Sequence, residues 1–394
     1  MRLTITNINT KLFFLLSILL VLFVYFLIVF SAGDVQDAAN VQNNVFVHIF
    51  RLAILGTVSI LVLVNRFRFK KCELLILVLI WCTWMFLCNL VNLERYVVNL
   101  TYVLLWPAFF LAFYFFSEKL SNYNFPRYLY SCLFIFISIL YVFVAREKNV
   151  ALEEERLASV GHIYYVILLL PWIFMIENRK ILNLFLLIVI ALTIYSAKRG
   201  AILIALLSVA VYVYTAYIKG GKRGINIRGF LLGVIFVGIG IYILSWINES
   251  SGGYILQRFE NVEKDQGSGR LGLWENVIEL FRKTPFEYKI FGHSHNTVQL
   301  TTDMGLSAHN DFLEALYDYG IVGFILLLLI FLTLLKRVLI LYRRQSDYFI
   351  PYAVSLIIFV FMTSVSHIIL YPTYIVFLAS FLGYMETTIS REVK

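Results

Sequence analysis

Charged side chains are scarce in this chain. Of 394 residues, 14% are Asp, Glu, Lys or Arg and 61% are hydrophobic. A soluble domain carries about 25% charged and about 45–50% apolar residues, so a water-exposed globule is excluded. Cysteine is rarer still. The four thiols, Cys72, Cys82, Cys88 and Cys132, lie in or beside apolar runs and never as Cys-x-x-Cys. Neither a disulfide framework nor a zinc site is indicated. The chain also lacks a P-loop, a Gly-x-Gly-x-x-Gly fingerprint and a Gly-x-Ser-x-Gly elbow. Those absences remove familiar signatures of nucleotide binding and of serine hydrolases. There is no repeat of about 20–50 residues and no low-complexity tract.

What is present is a series of apolar runs, each about 17–25 residues, the length needed to cross about 30 Å of hydrocarbon. The runs fall near 12–30, 46–64, 73–92, 99–116, 128–145, 160–176, 181–196, 200–218, 229–247, 311–335, 348–369 and 373–389. They predict an all-α, polytopic integral membrane bundle of about 12 transmembrane helices, one transmembrane domain over 1–394. The run 12–30 is longer than a signal-peptide core and reads as an uncleaved first span.

The net charge of +9 does not point to nucleic acid, because the cations are concentrated in alternate short loops. One set of loops holds Arg66, Arg68, Lys70 and Lys71, then Lys119 and Arg127, then Arg179 and Lys180. It continues with Lys219, Lys222, Arg223 and Arg228, then Lys336, Arg337, Arg343 and Arg344, and both tails are basic. By the positive-inside rule these segments, including both termini, are cytoplasmic. The alternation puts 31–45, 146–159, the turn 197–199 and the long segment 248–310 outside the cytoplasm. The last is a large outward-facing loop between the ninth and tenth spans, expected to contain short helices and long enough to carry function.

Within that loop, Leu271, Trp274, Ile278 and Phe281 recur at helical spacing and Thr284-Pro285 ends the pattern. This predicts an amphipathic helix from Arg270 to Lys283. After the loop comes Ser307-Ala-His-Asn-Asp-Phe-Leu-Glu-Ala-Leu-Tyr-Asp-Tyr-Gly-Ile-Val-Gly323. A His, an Asn and three carboxylates stand there at the start of an apolar run, where polar groups cost free energy unless they function. Ser307 reads as the N-cap of a helix and His309 as a first-turn residue, where the positive helix end favours a neutral imidazole able to accept a proton. Asp311 and Glu314 oppose this by favouring the charged form.

Lys198-Arg199-Gly200 places two cations in an outward turn, against the positive-inside trend, and Arg is a good bidentate partner for phosphate. Arg270 begins the amphipathic helix. Arg258, Arg282, Lys283 and Lys289 read from local sequence as solvated charges, as do Arg146, Lys148 and Arg156. His293 and His295 form a His-x-His pair with no third ligand beyond His309 or Asp303, so no metal is predicted. His48, His162 and His367 read as packing residues near span ends.

These features together resemble the O-antigen ligase/polymerase superfamily, the WaaL and Wzy proteins of bacterial envelopes. The resemblance rests on Ala-His-Asn-Asp-Phe-Leu-Glu…Tyr-Gly-Ile-Val-Gly after a large late loop, on Ser196-Ala-Lys-Arg-Gly200, and on Arg270 with Trp274. It is strongest over about 190–330. It implies glycosyl transfer, without metal or cofactor, on the periplasmic face of the inner membrane. The implied donor is a glycan on undecaprenyl diphosphate, and the acceptor is a lipid-linked glycan. A chain-length regulator protein is a further implied partner. On the matching positions, Arg199 and Arg270 would neutralise the departing diphosphate and His309 would deprotonate or position the acceptor hydroxyl. Asn310 and Glu314 would orient the acceptor or sugar, and Lys198 and Arg258 would assist substrate binding. The Asn-Asp-Phe-Leu-Glu…Tyr-Asp-Tyr-Gly run leans towards a polymerase of O-antigen or capsular repeat units, with a ligase to lipid A–core as the alternative. A transporter without chemistry is disfavoured, because the polar clusters lie at loop edges rather than deep in several spans.

Overall fold

The computed structural model describes residues 45–64, 72–91, 97–119, 125–151, 161–215, 238, 241–242, 245–249, 252–253, 256, 269–302, 305–369 and 372–392. The expected spans 12–30 and most of 229–247, the basic loops around 66–71 and 219–228, Arg156 and Arg258 lie outside them. The described residues are helical and contain no strand. In chain order the helices are α1 Val45–Val64, α2 Glu73–Val91, α3 Val97–Lys119, α4 Phe125–Ala151, α5 Ile163–Leu168, α6 Leu170–Ile173, α7 Arg179–Tyr195 and α8 Arg199–Val213. There follow α9 Arg270–Lys283, α10 Phe286–Phe291, α11 Thr297–Thr301, α12 Asp311–Asp318, α13 Gly320–Arg343, α14 Phe349–Val365 and α15 Pro372–Glu392.

Among the described residues, three stretches are long and apolar enough to cross a membrane: Glu73–Leu90, Tyr128–Arg146 and Gly320–Arg343. Shorter apolar stretches include Leu104–Phe115, Ile163–Ile173, Arg199–Val213, Phe349–Val365 and Tyr374–Ile389. Two expected spans are broken. The run 160–176 divides at Leu169, because Pro171 has no amide proton and its ring crowds the carbonyl four residues back. The run 311–335 divides at Tyr319, and Gly320 takes a left-handed φ of 68°. The helix that bears the polar motif is therefore separate from the long apolar helix after it. Helix α4 also continues to Ala151, through part of the expected outer loop.

The chain forms two compact units. One draws on Met1–Tyr123, Trp274–Leu334 and His367–Lys394. In it α3 packs along α15, and also touches α1 and α2. A Cβ on Gly383 would lie 2.2 Å from the carbonyl oxygen of Phe110, so only glycine permits this close approach of α3 and α15. The other unit draws on Asn124–Leu273 and Leu335–Ser366. There α14 packs on α8 and α6, while α5 touches α4, α7 and α8.

Helix α9 is amphipathic as its sequence predicts, but a neighbouring stripe faces inward. Trp274, Val277, Leu280 and Phe281 pack on Val298, Ala308, Leu313 and Tyr317, while Leu271 and Ile278 are exposed. The anchor is the Trp274 indole N–H, which donates to the Ala308 carbonyl at 2.8 Å. That bond turns the helix towards Trp274 and ties it to the residue before His309. Thr284 ends the helix by donating its amide to Leu280, and Lys289 donates to the Arg282 carbonyl at 2.9 Å.

Candidate functional site

The polar motif is held on a floor made by α2 and the segment 290–298. The Trp84 indole donates to the Tyr319 carbonyl at 2.9 Å, the Cys88 thiol donates to the Phe291 carbonyl at 2.9 Å, and the His295 amide donates to Asn89 Oδ1 at 3.0 Å. Trp81 meets Tyr319 edge to face at 5.5 Å. Asp318, fully buried, accepts the amides of Asn296 at 2.7 Å and of Thr297 and Val298 at 3.1 Å each. Its side chain thereby caps α11 from a distant part of the chain. Burial pushes its carboxyl up to about 8, against the lowering effect of those three amides.

His293 and His295 do not converge. His293 is stacked between Tyr288 at 4.7 Å and Tyr317 at 4.5 Å, and its Nε2 is 3.2 Å from Thr284 Oγ1. His295 is buried, with Nδ1 hydrogen-bonded to the Tyr319 hydroxyl. Both rings are structural. Burial lowers His295 from 6.5 to about 4. Between those values the unfolded chain binds a proton that the folded chain refuses. The stability from the neutral ring is therefore fully present above pH 6.5 and is lost as the pH falls through 4. The loss is at most about 3 kcal/mol. Thermal unfolding in detergent across this window should show the slope in the parent chain and a flatter one in His295→Gln. Equal slopes would refute the assignment.

Above this floor lies the first cluster of candidate groups. Ser307 is not the N-cap of α12. Asn310 is, its Oδ1 accepting the amides of Phe312 at 3.0 Å and Leu313 at 3.1 Å. His309 accordingly stands before the helix instead of in its first turn, with a left-handed φ of 52°. Non-glycine residues hold that conformation at a cost of order 1 kcal/mol when surrounding contacts fix them.

Those contacts come from His367, read from sequence as a packing residue. The His309 and His367 rings are 4.7 Å apart and tilted by 35°. His367 Nε2 lies 2.8 Å from Ser307 Oγ, and Nδ1 lies 3.1 Å from Asp311 Oδ1. Asp311 Oδ2 accepts the amides of Ile368 at 2.8 Å and Ile369 at 3.0 Å. The polar motif is thus fastened to the turn after α14. No local signal marks His367, because its partners are nearly 60 residues away.

Glu314 is 1% exposed and neither carboxylate oxygen closes a hydrogen bond. The amides of Ala308 and His309 are near enough to favour its charge, yet they fall outside hydrogen-bonding geometry, and His367 Nδ1 is 3.8 Å away. Burial, with Asp318 and Asp311 nearby, holds this carboxyl well above the usual range.

The second cluster belongs to the other unit and centres on Tyr164. Gly200 approaches so closely that an added Cβ would be 3.0 Å from the Tyr164 hydroxyl. Arg270 is near enough for its charge to act on that hydroxyl, which also bonds Ser366. The turn that carries Lys198 and Arg199 and the start of α9 therefore reach one tyrosine. Ser196 shapes the turn, donating to the Thr193 carbonyl at 2.6 Å and accepting the Lys198 amide at 3.2 Å. Lys198, Arg199 and Arg270 are each half-buried.

The sequence thus carries two chemistries. Arg270, whose charge reaches a tyrosine beside the Lys198–Gly200 turn, suits an anion such as a phosphate. An imidazole fixed against carboxylates and a hydroxyl suits proton transfer. Residues 184–328 match a family model described as O-antigen ligase. No curated protein matches the chain.

Proposed function

We propose, from the match of residues 184–328 to a family model described as O-antigen ligase and the resemblance to the O-antigen ligase/polymerase superfamily, that the chain polymerises lipid-linked oligosaccharide repeat units into O-antigen or capsular polysaccharide. The observation that carries this reading is the family match over 184–328, whose limits enclose Arg199, Arg270, His309, Asn310 and Glu314. The protein would be a multi-pass inner-membrane enzyme of about 12 spans with cytoplasmic termini and a periplasmic site. Its donor would be a glycan on undecaprenyl diphosphate, and a chain-length regulator is an expected partner.

An acceptor hydroxyl attacks the anomeric carbon of the donor, the carbon–oxygen bond to diphosphate breaks, and the diphosphate leaves with the electron pair. Negative charge grows on the leaving group, and fixed cations stabilise it without reorganising. Arg199 and Arg270 take that role, with Lys198 beside them and Arg258 as a further candidate. The proton released by the hydroxyl needs a base, and the His309 cluster supplies imidazole and carboxylate. Asn310 supports it by capping α12, and Glu314 by offering buried oxygens to a hydroxyl.

The second reading is transfer of the finished glycan from the same donor to lipid A–core, with which the family match over 184–328 is equally compatible. The banding of lipopolysaccharide from a strain lacking this chain separates the two. Core bearing a single repeat unit is the expected result for a polymerase. Bare core, with long glycans left on the lipid carrier, would make it a ligase. An unchanged pattern would sink both.

A further inference from the structure

Asp311, His367 and Ser307 lie in one hydrogen-bonded line. Two backbone amides, of Ile368 and Ile369, fix the Asp311 carboxylate. That carboxylate lies 3.1 Å from His367 Nδ1, and a carboxylate can only accept there, so Nδ1 carries the proton. Nε2 is then the lone-pair nitrogen, and it faces the Ser307 hydroxyl at 2.8 Å. His367 is 1% exposed and Asp311 2%, whereas Ser307 is half-buried. The imidazole with the basic nitrogen is thus shut away, and Ser307 is the more open end of the line. His309 meets His367 ring against ring, a contact that positions a side chain.

We infer that Asp311, His367 and Ser307 form a proton relay, with Ser307 meeting the acceptor hydroxyl, His367 as the base, and His309 as the residue that orients the acceptor. This rests on the glycosyl-transfer reading above. In the step, the acceptor oxygen bonds to the anomeric carbon as the bond to diphosphate breaks and its electron pair departs with the diphosphate. The acceptor proton passes to Ser307 Oγ, and the Ser307 proton passes to His367 Nε2. The imidazolium so formed faces Asp311, with Glu314 Oε1 3.8 Å from Nδ1. The Asp311 carboxylate, accepting from Nδ1, stabilises that charge. When product leaves, the proton returns along the same line to water. The line has the geometry of an Asp–His–Ser triad, but the hydroxyl conducts a proton and forms no covalent intermediate. Titratable groups facing His367 include Asp311, Glu314 and His309.

The test uses the purified full-length chain in lipid nanodiscs with a glycan on undecaprenyl diphosphate, the product ladder being quantified on gels. Ser307→Ala is expected to lower kcat by about 100-fold, within the range of general-base contributions, with donor KM unchanged. Ser307→Thr, which keeps the hydroxyl, should retain most of the rate, and His367→Gln should lose at least as much as Ser307→Ala. Rates in mixtures of light and heavy water give a readout that a structural role would not move. Two protons in flight make the parent's plot curved, and one makes that of Ser307→Ala straight. Full activity in Ser307→Ala, or equal losses in Ser307→Ala and Ser307→Thr, would overturn the relay while leaving glycosyl transfer intact. Plots of the same shape for parent and Ser307→Ala would also overturn it. No transfer by the parent chain would overturn the glycosyl-transfer reading and the relay with it.

Discussion

Arg270→Ala should lower glycan assembly by roughly 100- to 1,000-fold, the usual effect of removing one preorganised donor from a developing anion. Arg270 opens α9 and its charge reaches Tyr164, which Gly200 also approaches. In the proposed transfer the diphosphate gains charge only as the glycosidic bond breaks, so the loss should fall mainly on kcat. Arg270→Lys should recover only part of the rate, because an ammonium cannot reproduce the planar two-pronged contact. Arg199→Ala should act in the same direction, and the double variant should lose less than the product of the single effects, since both cations serve one leaving group. Variants at matched membrane abundance would be compared by the length and amount of glycan formed. Full assembly by Arg270→Ala would remove α9 from the reaction.

The second large effect is on folding. Gly320→Ala should destabilise the unit by roughly 3–5 kcal/mol, a large part of the roughly 5–15 kcal/mol that holds a domain folded. Gly320 has φ 68°, and a Cβ there would stand 2.2 Å from the Ile290 carbonyl oxygen and 2.8 Å from the Gly292 nitrogen. Gly292 faces it in the same way, with φ 78° and the Asp318 carbonyl oxygen 2.2 Å from its own added Cβ. Two left-handed glycines thus let the 290–292 and 318–320 backbones touch, and the Ser294 amide donates to the Asp318 carbonyl at 2.8 Å. No side-chain rotation relieves a clash with backbone. The contrast is Gly272→Ala. That glycine lies in α9 with nothing within 4 Å of an added Cβ, so Ala should stabilise by about 0.5–1 kcal/mol. Thermal unfolding in detergent would compare the pair, and equal effects would contradict the close approach.

How far the site could be read in advance depends on the range of each interaction. Trp274 and Phe281 announced the amphipathic helix because helical periodicity is a property of neighbours along the chain. The periodicity pointed to the stripe with Leu271 and Ile278, and the Trp274 bond to Ala308 instead turned the neighbouring one, with Val277 and Leu280, inward. Ser307 and Asn310 are both good capping residues. What decided between them was His367, which holds Ser307 Oγ at 2.8 Å and leaves the cap to Asn310. Asp318 looked like one more polar residue in the motif, yet it organises the 296–298 turn instead of facing a substrate.

The sequence by itself determined the all-helical, membrane-spanning class and singled out the segments proposed to carry the chemistry. Apolar runs must stay out of water, and cations distribute by topology, so composition and spacing are enough for both. It did not mark the break at Gly320, reading 311–335 as one span, because a left-handed glycine is set by the backbone it packs against. Tertiary structure alone decided which groups meet: His367 with Ser307 and Asp311, Asp318 with the 296–298 amides, and Arg270 and Gly200 with Tyr164. Hydrogen bonds and charge contacts act over a few ångströms, and segments distant in sequence come within that range only once the helices have packed.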